Sequence, residues 1–300
     1  MNHTDFWKNF NLGQELSIDG DFIYNGLRQF HEMRGLDVTE VAFGFLYELS
    51  VGLERLLKMA VVLLEHDSAL DHAAFEESLK THEQLELLDR VRTRQPLSLV
   101  DNHLALLGLL GDFYRTIRYD RFSLSSANDP KKEIKAVRSF LEKGLNVEIL
   151  LQGDFIAVPN EDRYRRYVEK TVRKISGCLY QIVKRRAREL KLYTYELRHG
   201  SKAESVFLRE AKVSDEDVLW KELLVFFMNT KDSSGYLEFR RGISPFKFDP
   251  AMAGDYLDCF RSDALKSMVM DELEFLYETM GDEAGERLKL MGFISSPAFT

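Results

Sequence analysis

The most apolar stretch of the chain, residues 41–64, reads VAFGFLYELSVGLERLLKMAVVLL and has the length of a membrane-spanning helix. It nevertheless carries charged side chains at Glu48, Glu54, Arg55 and Lys58. Each charge at the centre of a bilayer costs roughly 2.5–3.5 kcal/mol on insertion scales, which disfavours a membrane span. The stretch is instead typical of a helix buried inside a water-soluble protein. This predicts a cytoplasmic protein that does not interact with a membrane.

Helical spacing of apolar residues continues along most of the chain, and only six prolines and 18 glycines interrupt it. Capping signatures begin helices at Asp37 and Asp71, and a third follows Pro96. One segment, 235–249, alternates weakly and is compatible with a small hairpin. The predicted fold class is therefore all-α, a helical bundle followed by a second helical region.

The clearest break in the helical pattern is the segment SLSSANDP at residues 123–130, where small polar residues end one unit and Pro130 begins another. This predicts two domains, a helical bundle over residues 1–125 and a C-terminal helical region over 126–300. The second region contains a long basic helix, predicted over 160–200 and ended by His199 and Gly200.

The basic helix concentrates positive charge in an acidic protein. Residues 163–202 contain 13 Lys and Arg but three acidic residues, a net charge of +10, in a chain whose total is −8. The remaining residues therefore carry −18. Most of the cations recur at three- and four-residue steps, which places them on one helical face opposite an apolar face. The candidate nucleic-acid-binding residues are Arg163, Arg166, Lys170, Arg173, Lys174, Lys184, Arg185, Arg188 and Lys191.

A polyanion is the natural partner of such a face, because phosphates along a strand would meet cations along a helix and release condensed counterions. Tyrosines among the charges offer stacking on unpaired bases. The alternative is that the cations pair with carboxylates of the same chain or of a second subunit, which stabilises a protein little. The charge pattern supports both interpretations, and the pairing of these side chains decides between them.

Standard catalytic motifs are absent from the sequence, which contains no GxxxxGK[ST], GxGxxG, HExxH or GxSxG. The two cysteines, Cys178 and Cys259, form no CxxC pair and favour a reducing compartment. No metal and no cofactor are predicted.

Polar residues on the predicted bundle helices form a second candidate site. Glu54 and Lys58 are four residues apart in an apolar helix, where an unpaired charge is costly, so each should have a partner. His82 is predicted in the middle of the next helix. Near the end of a third helix, three arginines follow one another at three-residue intervals: Arg115, Arg118 and Arg121. The candidate phosphate or nucleotide pocket comprises Glu54, Lys58, His82, Arg115, Arg118 and Arg121. A buried polar network that fixes helix register explains the same residues.

The segments LYELSVGLERLLKMAVVLLEH, THEQLELL and FYRTIRYDRF, within residues 40–122, resemble the helical series of HEPN (higher eukaryotes and prokaryotes nucleotide-binding) domains. The resemblance implies an all-α bundle, frequent dimerisation, and roles in nucleotide binding, RNA cleavage, toxin systems or phage defence. Ribonuclease members carry Arg-x(4–6)-His, and no Arg precedes a His at that spacing here.

Three functions follow as hypotheses. The first is binding of nucleic acid, RNA before DNA, or of a nucleotide by a HEPN-like protein, with a role in prokaryotic defence or a toxin-type system. The second is a divergent, metal-independent ribonuclease in which His82 transfers a proton and Arg118 stabilises phosphorane charge. The third is a structural subunit that binds an acidic protein partner or forms a homodimer.

Overall fold

A computed structural model of the chain describes residues 3–65, 71–120, 122–124, 131–149, 158–208, 213–260 and 263–294. All regular elements in these ranges are helices, so the prediction of an all-α protein is confirmed. The contacts divide the chain into two compact units, Met1–Lys221 and Glu222–Thr300. The domain boundary predicted near residue 126 falls within the first unit.

The first unit contains the helices of the N-terminal part of the chain. In chain order these are α1 (His3–Glu32), α2 (Thr39–Glu65), α3 (His72–Ser78), α4 (Gln84–Arg94), α5 (Asp101–Asp112), α6 (Arg118–Asp120), α7 (Lys132–Leu145), α8 (Asp162–Glu189) and α9 (Lys202–Phe207). A π-helical turn, Phe113–Ile117, joins α5 to α6, and Tyr195–Leu197 forms a 3₁₀ turn. Helix α10 (Val213–Asn229) runs from the first unit into the second.

The second unit contains α11 (Gly235–Arg241), α12 (Ala253–Cys259), α13 (Asp263–Met280) and α14 (Ala284–Ile294), with 3₁₀ turns at Pro250–Met252 and Gly281–Glu283. The hairpin considered for 235–249 is wrong, because residues 235–241 are helical. Ser234 begins this helix by accepting the Leu237 N–H at 3.2 Å, and such a cap satisfies one of the unpaired N–H groups of the first turn.

Helix α2 forms the centre of the first unit. Its side chains Leu46, Leu49, Leu53, Leu56 and Leu57 are completely buried, and α1, α4, α5, α7 and α8 all pack against it. Full burial of one such side chain stabilises the folded state by roughly 1.5–3 kcal/mol. The charged residues of 41–64 therefore belong to a core helix, as predicted. No helix in the described part of the chain combines the length and apolar character that crossing a membrane requires.

Helix α1 was not predicted as an element. It buries Leu12, Leu16, Ile23, Leu27 and Phe30, which follow helical spacing, and it makes more contacts with α2 than any other element does. The segment that follows α1 is joined to the segment that precedes α8, because the Leu36 N–H donates to the Val158 carbonyl at 2.7 Å. This junction fixes one end of the basic helix on the bundle.

The basic helix α8 is shorter than predicted. It begins at Asp162 and ends at Glu189, and Lys191 then adopts a left-handed backbone conformation with φ of 56°. An L-residue in that conformation cannot continue an α-helix, so the residues from 190 to 200 form turns rather than helix. Val168, Val172, Ile175, Leu179 and Val183 are almost completely buried, as expected for the apolar face.

Candidate functional site

The nine candidate cations of α8 and its end fall into two groups. Four of them pair with carboxylates: Arg163 with Glu161, Arg166 with Asp162, Arg173 with Glu169 and Lys184 with Glu204. The other five have no carboxylate within 4.0 Å among the described residues, and all five are exposed: Lys170, Lys174, Arg185, Arg188 and Lys191. The predicted row of cations is therefore divided, and about half of it remains available to a partner.

The most buried of these four pairs lies where α8 packs against α9. Lys184 Nζ lies 2.8 Å from Glu204 Oε1, and both side chains are almost buried. Glu204 also accepts the Gly200 N–H at 2.8 Å. The hydrogen bond from Lys184, followed by the one from Gly200, lowers the pKa of Glu204 from 4.5 to about 2. Lys184 thus contributes to the packing of α8 on α9, and its prediction as a nucleic-acid-binding residue does not fit this geometry.

Three of the available cations line an open groove of about 720 Å³. One wall is α8, the second is the segment Gln95–Ser98 that follows α4, and the third is formed by Phe207 and Leu208 at the end of α9. Lys170, Lys174 and Arg185 contribute the exposed charges. Among the described residues that line the groove none is acidic, so we call it the cationic groove.

The electrostatic effect of Lys174 extends beyond its own helix. Burial lowers the pKa of His103 on α5, and the positive charge of Lys174 lowers it further. An ammonium group that is matched by a carboxylate would exert a weaker field on its neighbours. The charges of Lys170, Lys174 and Arg185, which no carboxylate among the described residues matches within 4.0 Å, have the sign that attracts an anion.

Gly177 lies in the middle of the groove and permits a close approach of two elements. A Cβ atom at this position would lie 3.1 Å from the Phe207 carbonyl oxygen. The glycine thus lets the end of α9 reach α8, and this approach forms the third wall.

The second candidate site assembles around Glu54. Its Oε1 lies 2.6 Å from Lys58 Nζ and its Oε2 lies 2.9 Å from His82 Nδ1. The Glu54 carboxylate is almost buried, whereas the His82 side chain is 45% exposed. His82 lies in the connection between α3 and α4, not in the middle of a helix as predicted. The carboxylate thus accepts hydrogen bonds from both Lys58 and His82 and holds the imidazole at the surface.

Tyr114, in the π-helical turn, connects His82 with Arg118. The His82 and Tyr114 ring centroids are 4.7 Å apart, and the Arg118 guanidinium carbon lies 3.6 Å from the centroid of the same tyrosine ring. No carboxylate among the described residues pairs with Arg118, and its Nε is buried without a hydrogen-bond partner. The guanidinium donates to the Tyr119 hydroxyl at 2.5 Å. An imidazole and a guanidinium without a carboxylate partner therefore lie against one ring, an arrangement that the sequence did not indicate.

The remaining arginines of this site have different positions. Arg115 pairs with Glu83 and with Asp112, at 2.9 Å in the second case, so it does not join Glu54. Its prediction as a pocket residue does not fit this geometry, because two carboxylates nearer to it hold its guanidinium. Arg121 lies outside the described residues.

Glu54 and Lys58 also line a cavity of about 310 Å³ between α1 and α2. The charges on its walls largely match one another, since Glu15 pairs with Arg55 and Glu54 with Lys58. Among the described residues, no three metal-ligating side chains come together. The cationic groove is therefore one of the two stronger candidates. The other is the group formed by Glu54, His82, Tyr114 and Arg118, which we call the His82 cluster.

Comparisons with known proteins return no relative: no protein-family model, curated protein or solved structure matches this chain. The resemblance to HEPN domains consequently stays a prediction, and the geometry of the two candidate sites is the basis for assigning a function.

Proposed function

We propose that this chain binds nucleic acid, RNA before DNA, through the cationic groove. The observation that carries the proposal is the exposure of Lys170, Lys174 and Arg185 in one groove without a carboxylate within 4.0 Å among the described residues. Each of these cations can neutralise a phosphate and release its condensed counterion. The chain has a net charge of −8. The rest of the protein therefore repels a polyanion, and this repulsion directs binding to the local excess of positive charge in the groove.

The experiment is a triple charge reversal, Lys170→Glu, Lys174→Glu and Arg185→Glu, with binding of a fluorescent RNA oligonucleotide measured by anisotropy. All three side chains are exposed and unpaired, so we expect the variant to fold. We expect at least about a hundredfold loss of affinity, since three phosphate contacts become three repulsions.

The matched control is Arg28→Glu, Lys80→Glu and Lys289→Glu, which changes the net charge by the same amount at positions that do not line the groove. We expect this variant to lose much less affinity than the groove variant. Equal losses in both would mean that net charge alone governs binding, and the groove would lose its assignment. A wild-type protein that binds an acidic protein but no nucleic acid would favour the structural-subunit hypothesis instead.

A second candidate function, metal-independent RNA cleavage, is favoured by the His82 cluster. Because Glu54 Oε2 accepts from His82 Nδ1, the other ring nitrogen, Nε2, is left to accept a proton. The Arg118 guanidinium has no carboxylate partner among the described residues, so it can stabilise the charge that develops on a phosphorane. General acid–base catalysis of this kind contributes typically 10²–10⁴-fold to a rate.

Labelled RNA tests this function. We expect His82→Ala to abolish cleavage and Arg118→Ala to reduce it strongly, while Glu54→Gln slows cleavage because the imidazole loses the carboxylate that orients it. Cleavage that is unchanged in the His82→Ala protein would exclude this candidate without affecting the binding proposal.

A further inference from the structure

The cationic groove is charged at its ends and neutral in its middle. Lys170 and Lys174 lie towards one end and Arg185 towards the other, with Gly177, Cys178 and Gln181 between them on α8. Lys174 and Arg185 are separated by about 16 Å along the helix axis at 1.5 Å per residue. The phosphate of a single mononucleotide can occupy one of these ends but not both.

The middle of the groove offers surface that phosphates do not use. Leu97 and Leu208 are half-buried there, and Ile182 contributes the edge of a buried side chain. The exposed Gln181 carboxamide supplies donors and an acceptor next to this apolar surface. A flat, partly apolar group with polar edges fits this combination, and a nucleobase has that chemistry.

We infer that the groove selects single-stranded nucleic acid, with an unpaired base over the neutral middle and phosphates at the two cationic ends. A duplex keeps its base faces stacked inside the helix, so it can bring phosphates to the ends but no base face to the middle. Unpaired strands splay their bases out for such contacts. The inference rests on the proposed function and names the substrate class of the same site.

Three probes test the inference with the full-length protein: a short single-stranded oligonucleotide, the duplex of the same length, and a linear inorganic polyphosphate with the same number of phosphates. The base contact buries apolar surface that the polyphosphate lacks, so we expect the single strand to bind about tenfold tighter than the polyphosphate. The duplex should bind no tighter than the polyphosphate, measured by competition at one salt concentration.

Two substitutions separate the base contact from the phosphate contacts. Gln181→Ala removes an exposed side chain, so it should leave folding intact; we expect it to weaken single-strand binding about threefold to tenfold and to leave polyphosphate binding unchanged. Lys170→Gln should weaken the binding of both probes by the same factor. Leu97→Ala provides a second change in the neutral middle and should act like Gln181→Ala.

The outcomes distinguish this inference from the proposed function. If all three probes bind equally well and Gln181→Ala has no effect, the base contact is disproved while polyanion binding stands. Duplex binding tighter than single-strand binding would also overturn the inference. If none of the probes binds, both the inference and the proposed function fail.

Discussion

Lys184 and Arg185 are consecutive cations of α8 with opposite environments. Lys184 is almost buried and hydrogen bonds to Glu204 on α9, whereas Arg185 is exposed in the cationic groove. Successive residues of an α-helix point about 100° apart, so one faces the neighbouring helix and the other faces solvent. The function of a cation on this helix therefore depends on its angular position rather than on its place in a basic run.

The ion pair of Lys184 with Glu204 predicts a pH dependence of stability. The pKa of Glu204 is lowered to about 2 in the folded protein from an ordinary value of 4.5, so its contribution is fully present above pH 4.5 and is lost as the pH falls towards 2. We expect the melting temperature of Glu204→Gln to lie below that of the wild type at pH 7, and the difference to shrink between pH 4.5 and pH 2. Thermal unfolding by circular dichroism across this range measures it.

Glu76→Gln is the control for this measurement, because Glu76 is exposed and its carboxylate has no hydrogen bond or ion pair among the described residues. It should match the wild type at every pH. A constant difference between Glu204→Gln and the wild type from pH 7 to pH 2 would contradict the role given to this pair.

The residues around Glu54 were predictable in part from sequence. The four-residue spacing of Glu54 and Lys58 in an apolar helix predicts their pairing, and the structure shows it at 2.6 Å. Tyr114 was not predicted as a site residue, because an aromatic residue in an apolar helix is typical of the hydrophobic core. Arg115 could not be distinguished from Arg118 by the positions of the arginines alone. Its partner Asp112 is three residues earlier on α5, but Glu83 comes from the connection before α4, whose position depends on tertiary packing.

At the scale of the helix, the crossing of α1 and α2 depends on two glycines. A Cβ atom on Gly52 would lie 2.7 Å from Ile23 Cγ1 and 3.2 Å from the Ile23 backbone nitrogen. A Cβ atom on Gly26 would lie 2.8 Å from two side-chain atoms of Leu49. The two helices therefore approach closely because both positions lack a side chain.

Gly52→Ala should push α1 away from α2. Overpacking of this kind costs typically 1–3 kcal/mol, and we expect the free energy of unfolding in urea to fall by that amount. Gly108→Ala on α5 is the matched control, because its Cβ would meet only Leu85 Cδ1 at an ordinary 3.7 Å. The control should be neutral or should stabilise the protein by roughly 0.5–1 kcal/mol, as alanine does in a helix interior. Equal stability of the two variants would contradict the close crossing.

The helices themselves were more predictable than their boundaries. Apolar spacing identified α2 and α8. The end of α8 was predicted at residue 200 rather than at Glu189, because the turn at Lys191 contains no glycine or proline that would indicate it in the sequence. The predicted helix after Asp71 is divided into α3 and α4, and the residues between them include His82. Helix α1 has clear helical spacing from Leu12 to Phe30, so that signal was present in the sequence and was overlooked.

At the scale of the whole molecule, the candidate sites share the first unit, residues 1–221. The cationic groove joins residues more than 100 positions apart, from the segment after α4 to the end of α9. The distribution of charge along the sequence predicts the cations of the groove on α8. Its other two walls come from distant segments that tertiary packing brings to this helix. Sequence alone could therefore indicate the charge of the site but not its shape or which cations it would use.

The dependence of RNA affinity on salt concentration is the decisive measurement for nucleic-acid binding in the cationic groove. For RNA binding through Lys170, Lys174 and Arg185, the logarithm of the association constant should fall linearly with the logarithm of the salt concentration, with a slope of about −0.7 per phosphate on a single strand. We predict that the triple charge-reversal variant has a slope about two units less steep than that of the wild type. Equal slopes for the two proteins would contradict the claim that these three side chains contact phosphates.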